Sequence, residues 1–187
     1  MGLDKKTSFV DITDAQNPIH LADIKTQTYS STWRDIKVYK NYAYIVSEAF
    51  RHGMQVFDLH RLRELDGKKV AKLKADVHYS KFGSAHNIAI NEDSGYAYAV
   101  GTTTCDGGLH IINIKEPLKP SFVNCVGRGV YELPSGSAKH GDAYTHDVQC
   151  VIYHGPDKDY QGREICVSSN EDTVNIVDVT NKEKPYQ

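Results

Sequence analysis

Two histidines at equivalent positions are the residues of this sequence best suited to chemistry. His86-Asn87-Ile88 and His146-Asp147-Val148 share an order of side chains, and Arg34-Asp35-Ile36 repeats it with arginine in place of histidine. Imidazoles beside carboxylates can hold a divalent metal such as zinc or calcium, so His86 and His146 are candidate metal ligands. The alternative is structural: each side chain bonds neighbouring backbone and ties adjacent sheets together.

Three further segments, 48–52, 102–108 and 170–173, are expected on the same side of the molecule as these motifs. The candidate binding residues of this surface are Arg34, Asp35, Glu48, His52, His86, Asn87, Asp106, His146, Asp147, Glu171 and Asp172. Asn170-Glu171-Asp172 offers oxygen atoms that suit calcium, but it lacks the spaced ligands and the glycine of an EF-hand loop. A solvated turn is the alternative interpretation of that segment.

A long insertion over 129–144 is expected near the same surface, and it includes Ser135, Gly136, Ser137, Lys139, His140 and Asp142. Loops of this length in compact repeats are often functional, although a tolerated insertion fits equally well. The sequence has no Gly-x-Ser-x-Gly elbow and no Cys-x-x-Cys pair. We therefore identify no catalytic set from the residues alone.

The elements that position these residues come from an internal repeat. An apolar strand ending in Asp or Asn, followed by a polar turn, occurs four times, at Asp11, Asp58, Asn113 and Asp178, with spacings of 47, 55 and 65 residues. The histidine and arginine motifs each open a strand upstream of one copy, and a hairpin turn and a second strand follow. Four strands in a period of this size are typical of a β-propeller blade.

The fold class predicted from this repeat is all-β, as a β-propeller of four-stranded antiparallel blades with about three blades' worth present. We assign 1–28 to the last strands of a preceding blade, 33–80 and 86–126 to two blades, and 144–187 to an incomplete blade. Propellers typically close with four to eight blades. We therefore expect either missing blades from a longer chain or self-association, with an open β-sandwich as the alternative architecture.

Composition excludes two classes of partner. The 187 residues carry 22 basic and 24 acidic side chains, for a net charge of −2, so no strong field attracts nucleic acid. The apolar runs are too short to cross a bilayer, so we expect no membrane insertion. The basic run at 68–74, within a long lysine-rich connection, is interpreted as a solvated sheet edge.

The repeats resemble those of the choice-of-anchor B family, whose members carry LVIVD-type propeller repeats. The resemblance lies in Gly53-Met54-Gln55-Val56-Phe57-Asp58, in Asn91-Glu92-Asp93-Ser94-Gly95-Tyr96 and in Tyr144-Thr145-His146-Asp147. It implies a secreted or surface-attached module, and it carries over no catalytic residues.

Four cysteines in a protein of this type allow three pairings. Aligning the repeats places Cys150 and Cys166 where Ile90 and Tyr98 stand in one blade and where Val38 and Tyr44 stand in another, at facing positions of paired strands. This predicts a Cys150–Cys166 disulfide and leaves Cys105 for Cys125. Four reduced, buried cysteines in a cytosolic chain are the alternative.

Three functions are compatible with the sequence. The first is an extracellular or cell-surface module that binds a protein or glycan through its loop-rich side. The second is a metal-dependent, lactonase-like hydrolase that uses His86 and His146. The third is a structural subunit of a surface assembly, in which exposed sheet edges pair with other chains.

Overall fold

Four β-sheets form the protein in a computed structural model that describes residues 1–131 and 143–187. In chain order the strands are β1 (Gly2–Leu3), β2 (Lys6–Asp11), β3 (Ile19–Lys25), β4 (Arg34–Tyr39), β5 (Tyr42–Ser47), β6 (Met54–Asp58), β7 (Ala71–Leu73), β8 (Val77–Tyr79), β9 (Asn87–Asn91), β10 (Tyr96–Val100), β11 (Leu109–Asn113), β12 (Ser121–Val126), β13 (Thr145–Ile152), β14 (Glu164–Asn170) and β15 (Val174–Asp178). Short 3₁₀ turns lie at Leu59–Leu62, Cys105–Gly107 and Lys158–Tyr160. The all-β prediction is confirmed.

The sheets follow one another along the chain with almost no exchange of strands. Their strand orders are β1-β2-β3-β7 in the first, β4-β5-β6-β8 in the second, β9-β10-β11-β12 in the third and β13-β14-β15 in the fourth. All neighbouring strands are antiparallel except β3 and β7. Strand β9 lies beside both β4 and β13, so the first strands of the last three sheets are neighbours. The sheets of the described ranges form no closed ring.

Each Asp or Asn of the repeat closes its strand through a side-chain hydrogen bond. A carboxylate or amide oxygen at the last strand position accepts a hydrogen bond from the backbone N–H two residues later, which turns the chain. The four bonds are Thr13 N to Asp11 (2.8 Å), His60 N to Asp58 (2.9 Å), Lys115 N to Asn113 (3.0 Å) and Thr180 N to Asp178 (2.8 Å). The repeated residue is therefore a turn former that needs a short side-chain acceptor.

Three apolar clusters fill the spaces between successive sheets. Successive side chains of a strand point to opposite faces, so an inner sheet contributes to the cluster on each side of it. The cluster between the first and second sheets includes Ile24, Ala43, Ile45 and Phe57. The cluster between the second and third sheets includes Tyr44, Met54, Val56, Ile88 and Ile112. The cluster between the third and fourth sheets includes Tyr98, Leu109, Ile111, Val148 and Val177. Stacked in this way, the sheets hold the first strands side by side.

The lysine-rich connection contains a strand that the sequence analysis did not assign. Ala71–Leu73 forms β7, which runs parallel to β3 with Leu73 opposite Ile24. Leu73 packs against the first apolar cluster, while the neighbouring Lys72 is exposed. The basic run therefore borders a sheet edge and keeps lysine in solvent, as interpreted, but it also completes the first sheet.

The fourth sheet has an open side. Asp178 is joined to Tyr186 by two backbone hydrogen bonds of 2.8 and 3.1 Å, at the place where the other sheets have a further strand. Val174 and Ile176 are 65% and 59% exposed, whereas the repeat-equivalent Leu109 and Ile111 are 0% exposed. An apolar face that is buried in the third sheet is thus exposed in the fourth.

Both predicted disulfides are present. Cys150 and Cys166 face each other across β13 and β14 with their Cα atoms 4.0 Å apart. Cys105 and Cys125 join the turn before β11 to β12, with Cα atoms 5.1 Å apart. Each bridge lies within a single sheet.

The alignment behind the first of these bridges is wrong by one residue. Ile90 faces Ala97 in the third sheet, and Val38 faces Ala43 in the second. Cys166 therefore takes the place of these alanines rather than that of Tyr98 and Tyr44. The turn between β13 and β14 is longer than its counterparts, which hid the register.

Candidate functional site

The candidate site lies on what we call the loop face. This face comprises the starts of β4, β9 and β13 and the adjoining loops 26–33, 48–53, 101–108 and 171–173. His86 immediately precedes β9, and His146 is the second residue of β13. Because those strands are neighbours, the two imidazole rings lie with their centroids 4.2 Å apart. The structure therefore brings together the two histidines that the repeat singled out.

Trp33 extends this pair into a row of three rings. Its ring centroid lies 5.0 Å from that of His86. Its backbone is held by the hydroxyl of Ser47, which donates to the Trp33 carbonyl over 2.9 Å, and by the hydroxyl of Ser31, which accepts from the Trp33 N–H over 3.2 Å. The side chain is nevertheless 55% exposed. A fixed backbone thus presents a large aromatic surface to solvent.

Glu48 orients the central ring of the row. Its Oε1 lies 2.6 Å from Nδ1 of His86, whose side chain is only 6% exposed. A carboxylate at Nδ1 holds the proton of a neutral imidazole on that nitrogen and leaves Nε2 as an acceptor. Nε2 makes no hydrogen bond within the described ranges. The pair therefore offers a ligand an oriented acceptor and a carboxylate.

Tyr144 completes the group, which we call the Trp33 cluster: Trp33, Glu48, His86, Tyr144 and His146. Tyr144 and His86 both pack against Gly101, which has φ +58°. A Cβ atom on that residue would lie 2.6 Å from the Cβ of His86 and 2.7 Å from the hydroxyl of Tyr144. Burial, and then the carboxylates of Glu48 and Glu171, raise the pKa of Tyr144. Glu171 therefore adds negative charge beside the cluster.

Arg34 does not join the two histidines to which it is equivalent. Its Nε donates to the carbonyl of Leu3 (3.1 Å), its Nη2 to the hydroxyl of Thr26 (2.8 Å) and its Nη1 to Nε2 of His52 (2.9 Å). His52 is fully buried, and burial lowers its pKa to about 4. A guanidinium cannot accept a hydrogen bond, so Nε2 of His52 is the acceptor. Arg34 and His52 therefore link the first two sheets beneath the loop face.

The polar residues that follow the three equivalent positions serve mainly as ties between sheets. Oδ2 of Asp35 accepts the backbone N–H of Ile88 (3.1 Å), and Nδ2 of Asn87 donates to the carbonyl of His146 (3.1 Å). Asp147 bonds within its own strand, to the N–H of Val148 (2.8 Å). These contacts match the structural alternative for Asp35 and Asn87.

The remaining candidate residues fall outside the Trp33 cluster. Asp106 is exposed in the turn Cys105–Gly107, and Asp172 is exposed in the loop after β14. The insertion residues Ser135, Gly136, Ser137, Lys139, His140 and Asp142 lie outside the described residues.

A metal centre at His86 and His146 stays a prediction. The described ranges contain no group of three or more His, Cys, Asp and Glu side chains placed to hold a metal ion. Two imidazoles are present, and one nitrogen of His86 already bonds Glu48. Further ligands would have to come from elsewhere.

Sequence reasoning missed Trp33 and Tyr144. Each adjoins a repeat motif: Trp33 immediately precedes Arg34, and Tyr144 lies two residues before His146. The single tryptophan of the chain, immediately before the first strand of a repeat, was a usable signal. For Tyr144, the signal was the pair Gly101 and Gly107, which make room for its ring.

Comparisons of the chain with models of known protein families and with curated proteins give no match. Within the described ranges, no helix is long and apolar enough to span a membrane.

Proposed function

We propose that this protein is a recognition module built from β-propeller-type repeats and that it binds a protein or a glycan through its loop face. The observation that carries the proposal is Trp33, a half-exposed aromatic side chain on a fixed backbone beside a buried, oriented His86. Tryptophan is enriched among the residues that dominate binding energy. A group that is ordered before binding also loses little entropy when a ligand arrives.

The proposed propeller is supported by four consecutive sheets, by the recurring Asp or Asn turn and by the adjacent first strands. The resemblance to the choice-of-anchor B family belongs to the same proposal, because it rests on those repeats. Loops gathered at one end of such sheets are a common place for binding residues.

We place the module outside the cell or at its surface. Two disulfides among the described residues suggest an oxidising environment, since such bonds persist outside the cytosol. Each disulfide crosslinks neighbouring parts of its own sheet, as expected of structural rather than catalytic bridges.

A binding screen tests the proposal. The purified chain is applied to arrays of glycans and of extracellular protein domains, together with Trp33→Ala and a control, Leu118→Ala. Leu118 is 47% exposed in the turn after β11, at the end of the sheets opposite the loop face. We expect hits that Leu118→Ala retains and Trp33→Ala loses, whereas hits unaffected by Trp33→Ala would refute the loop face as the binding surface.

A metal-dependent hydrolase is the second candidate, and the Glu48–His86 pair favours it. Histidines that bind metal usually donate their other N–H to a carboxylate, as His86 does here. Metal analysis of protein purified without chelators tests the idea. One bound metal ion per chain, lost in His86→Phe, would support it, and folded protein free of metal would count against it.

A further inference from the structure

Two neighbouring cavities beside β8 are lined by basic side chains. One cavity, of about 320 Å³, is lined by Lys25 and Lys74, and the other, of about 490 Å³, by Arg51 and Lys81. His78 of β8 lines both, so the two cavities adjoin. No described Asp or Glu residue lines either one, although acidic residues outnumber basic ones in the chain, 24 to 22. We call this pair of cavities the basic groove.

The cationic groups of the basic groove are free to bind a ligand. All four side chains are exposed, and none forms an ion pair or donates a hydrogen bond within residues 1–131 and 143–187: Lys25, Arg51, Lys74 and Lys81. The guanidinium of Arg51 lies over the ring of Phe50, 5.4 Å from its centroid, which leaves its N–H groups open. Cations gathered without a carboxylate repel one another, so an anion that enters the groove is stabilised.

The backbone of the larger cavity is fixed before a ligand arrives. The N–H of Gly53 donates to the carbonyl of Gly83 over 2.7 Å. Gly53 has φ +62°, and a Cβ atom there would lie 2.3 Å from the carbonyl oxygen of Tyr79. This close approach holds the loop of Arg51 against the segment that carries Lys81. Cationic groups on a fixed backbone lose less entropy when they bind an anion.

The two lysines of the smaller cavity are placed side by side by strand pairing. Strands β3 and β7 run parallel with Ile24 opposite Leu73, so Lys25 and Lys74 follow at adjacent positions. The carbonyl of Lys25 accepts a hydrogen bond from Nε2 of Gln55 over 3.1 Å, which ties this end of β3 to the second sheet. The pairing of β7, which the sequence analysis did not assign, therefore creates half of the groove.

A chain that carries several negative charges suits two adjoining basic cavities better than a single small anion does. Clusters of lysine and arginine are typical of surfaces that bind sulfated glycans or nucleic acids. Surfaces that bind single-stranded nucleic acid usually add exposed aromatic side chains on which bases stack. Phe82 is the only Phe, Tyr or Trp among the described lining residues, and it is 4% exposed. The two disulfides also favour an extracellular ligand.

We infer that the basic groove binds a sulfated glycan, with sulfate groups held by the two lysines of the smaller cavity and by the arginine and lysine of the larger one. Neither Trp33 nor His86 lines the groove. The inference therefore adds a second binding site to the one proposed at the Trp33 cluster.

Calorimetric titration with a sulfated oligosaccharide of the heparin type tests the inference. The control ligands are the same oligosaccharide after desulfation and N-acetylation, which keeps its carboxylates, and a single-stranded oligodeoxynucleotide. The double variant Lys74→Gln, Lys81→Gln removes one cation from each cavity. Its matched control, Lys119→Gln with Lys158→Gln, loses the same charge at exposed positions in the turns after β11 and β13.

We expect binding of the sulfated oligosaccharide that weakens as salt is added, about tenfold weaker binding in the groove variant and little change in the control variant. Trp33→Ala should bind it as the parent chain does, so a sulfated hit in the array screen belongs to the groove and does not test the Trp33 cluster.

Four results would overturn the inference: equal losses in the two double variants, equal binding of the desulfated oligosaccharide, tighter binding of the oligodeoxynucleotide, or no binding of the sulfated oligosaccharide. None of them bears on the proposed function, which the unsulfated ligands of the array screen test through Trp33→Ala.

Discussion

Two tyrosines at equivalent repeat positions have opposite hydrogen-bonding states. The hydroxyl of Tyr98 donates to Glu164 over 2.6 Å in a buried contact that also includes Lys182. The equivalent hydroxyl of Tyr44 is buried without a partner. An unpaired buried hydroxyl destabilises the fold, whereas a hydrogen bond to a charged group stabilises it.

We therefore expect Tyr98→Phe to lower the free energy of unfolding by about 2 kcal/mol and Tyr44→Phe to leave it unchanged or raise it. Chemical denaturation of both variants measures the difference. Equal losses would show that the Tyr44 hydroxyl has a partner after all.

His110 should make stability depend on pH. It is 1% exposed, its Nε2 lies 2.8 Å from the hydroxyl of Tyr79, and burial lowers its pKa to about 4. Between about pH 6.5 and 4 the unfolded chain takes up a proton that the folded chain does not, so the free energy of unfolding falls as the pH falls.

Gln55 holds the equivalent position in the second sheet, which makes His110→Gln the natural test. Across that pH range the free energy of unfolding should fall for both proteins. We expect the fall to be smaller in this variant than in the parent chain, by up to about 3 kcal/mol. Parallel pH profiles of the two proteins would contradict the assignment of a neutral, buried imidazole. His52 remains in both, so some acid sensitivity persists.

At the residue scale the sequence was informative wherever the repeat recurred. His86 and His146 share a motif, and the structure places their rings together. Arg34 shares the motif too, but its side chain is long enough to reach Thr26 and His52 instead. Side-chain direction at Arg34 depends on partners in another sheet, which periodicity does not encode.

At the scale of single elements, the hairpin of β13 and β14 carries a crosslink that its counterparts lack. Cys150 and Cys166 stand where the third sheet has Ile90 and Ala97. The double variant Cys150→Ile, Cys166→Ala therefore restores a pairing that the repeat already tolerates while it removes the disulfide.

We expect this variant to fold and to lose about 3 kcal/mol of stability, the usual contribution of a disulfide that closes a loop of about 16 residues. Denaturation under non-reducing conditions measures the loss, and the parent chain with both disulfides intact is the reference. Undiminished stability would mean that the bridge constrains little in the unfolded state.

Strand β7 shows where element prediction from sequence ends. The strand Ala71–Leu73 has only three residues, with apolar Ala71 and Leu73 on either side of Lys72. It pairs in parallel with β3, which lies almost fifty residues earlier in the chain. Nothing local marks such a strand, because its pairing depends on a distant partner. Strands β6, β11 and β15 were predictable because an Asp or Asn turn marks the end of each.

At the scale of the whole molecule, the exposed face of the fourth sheet distinguishes the repeats. Ile176 is 59% exposed, and its equivalent Ile111 is fully buried between the third and fourth sheets. Ile176→Thr should therefore change the free energy of unfolding by less than about 0.5 kcal/mol, whereas Ile111→Thr should cost about 2 kcal/mol or more.

Denaturation of both variants, with sedimentation to record self-association, provides the measurement. A large cost for Ile176→Thr would mean that this face is covered in solution. The four sheets follow the order of the repeats along the chain, and this face of the last sheet is the surface on which a further sheet or a second copy would pack.

The most direct test of the account is a map of the ligand contacts on the protein surface. Isotope-labelled chain is titrated with a ligand from the array screen, and the shifted backbone and indole NMR signals are assigned. We predict that the shifts concentrate at Trp33, Glu48, His86 and His146. Shifts confined to β15 and the exposed face of the fourth sheet would contradict recognition through the loop face.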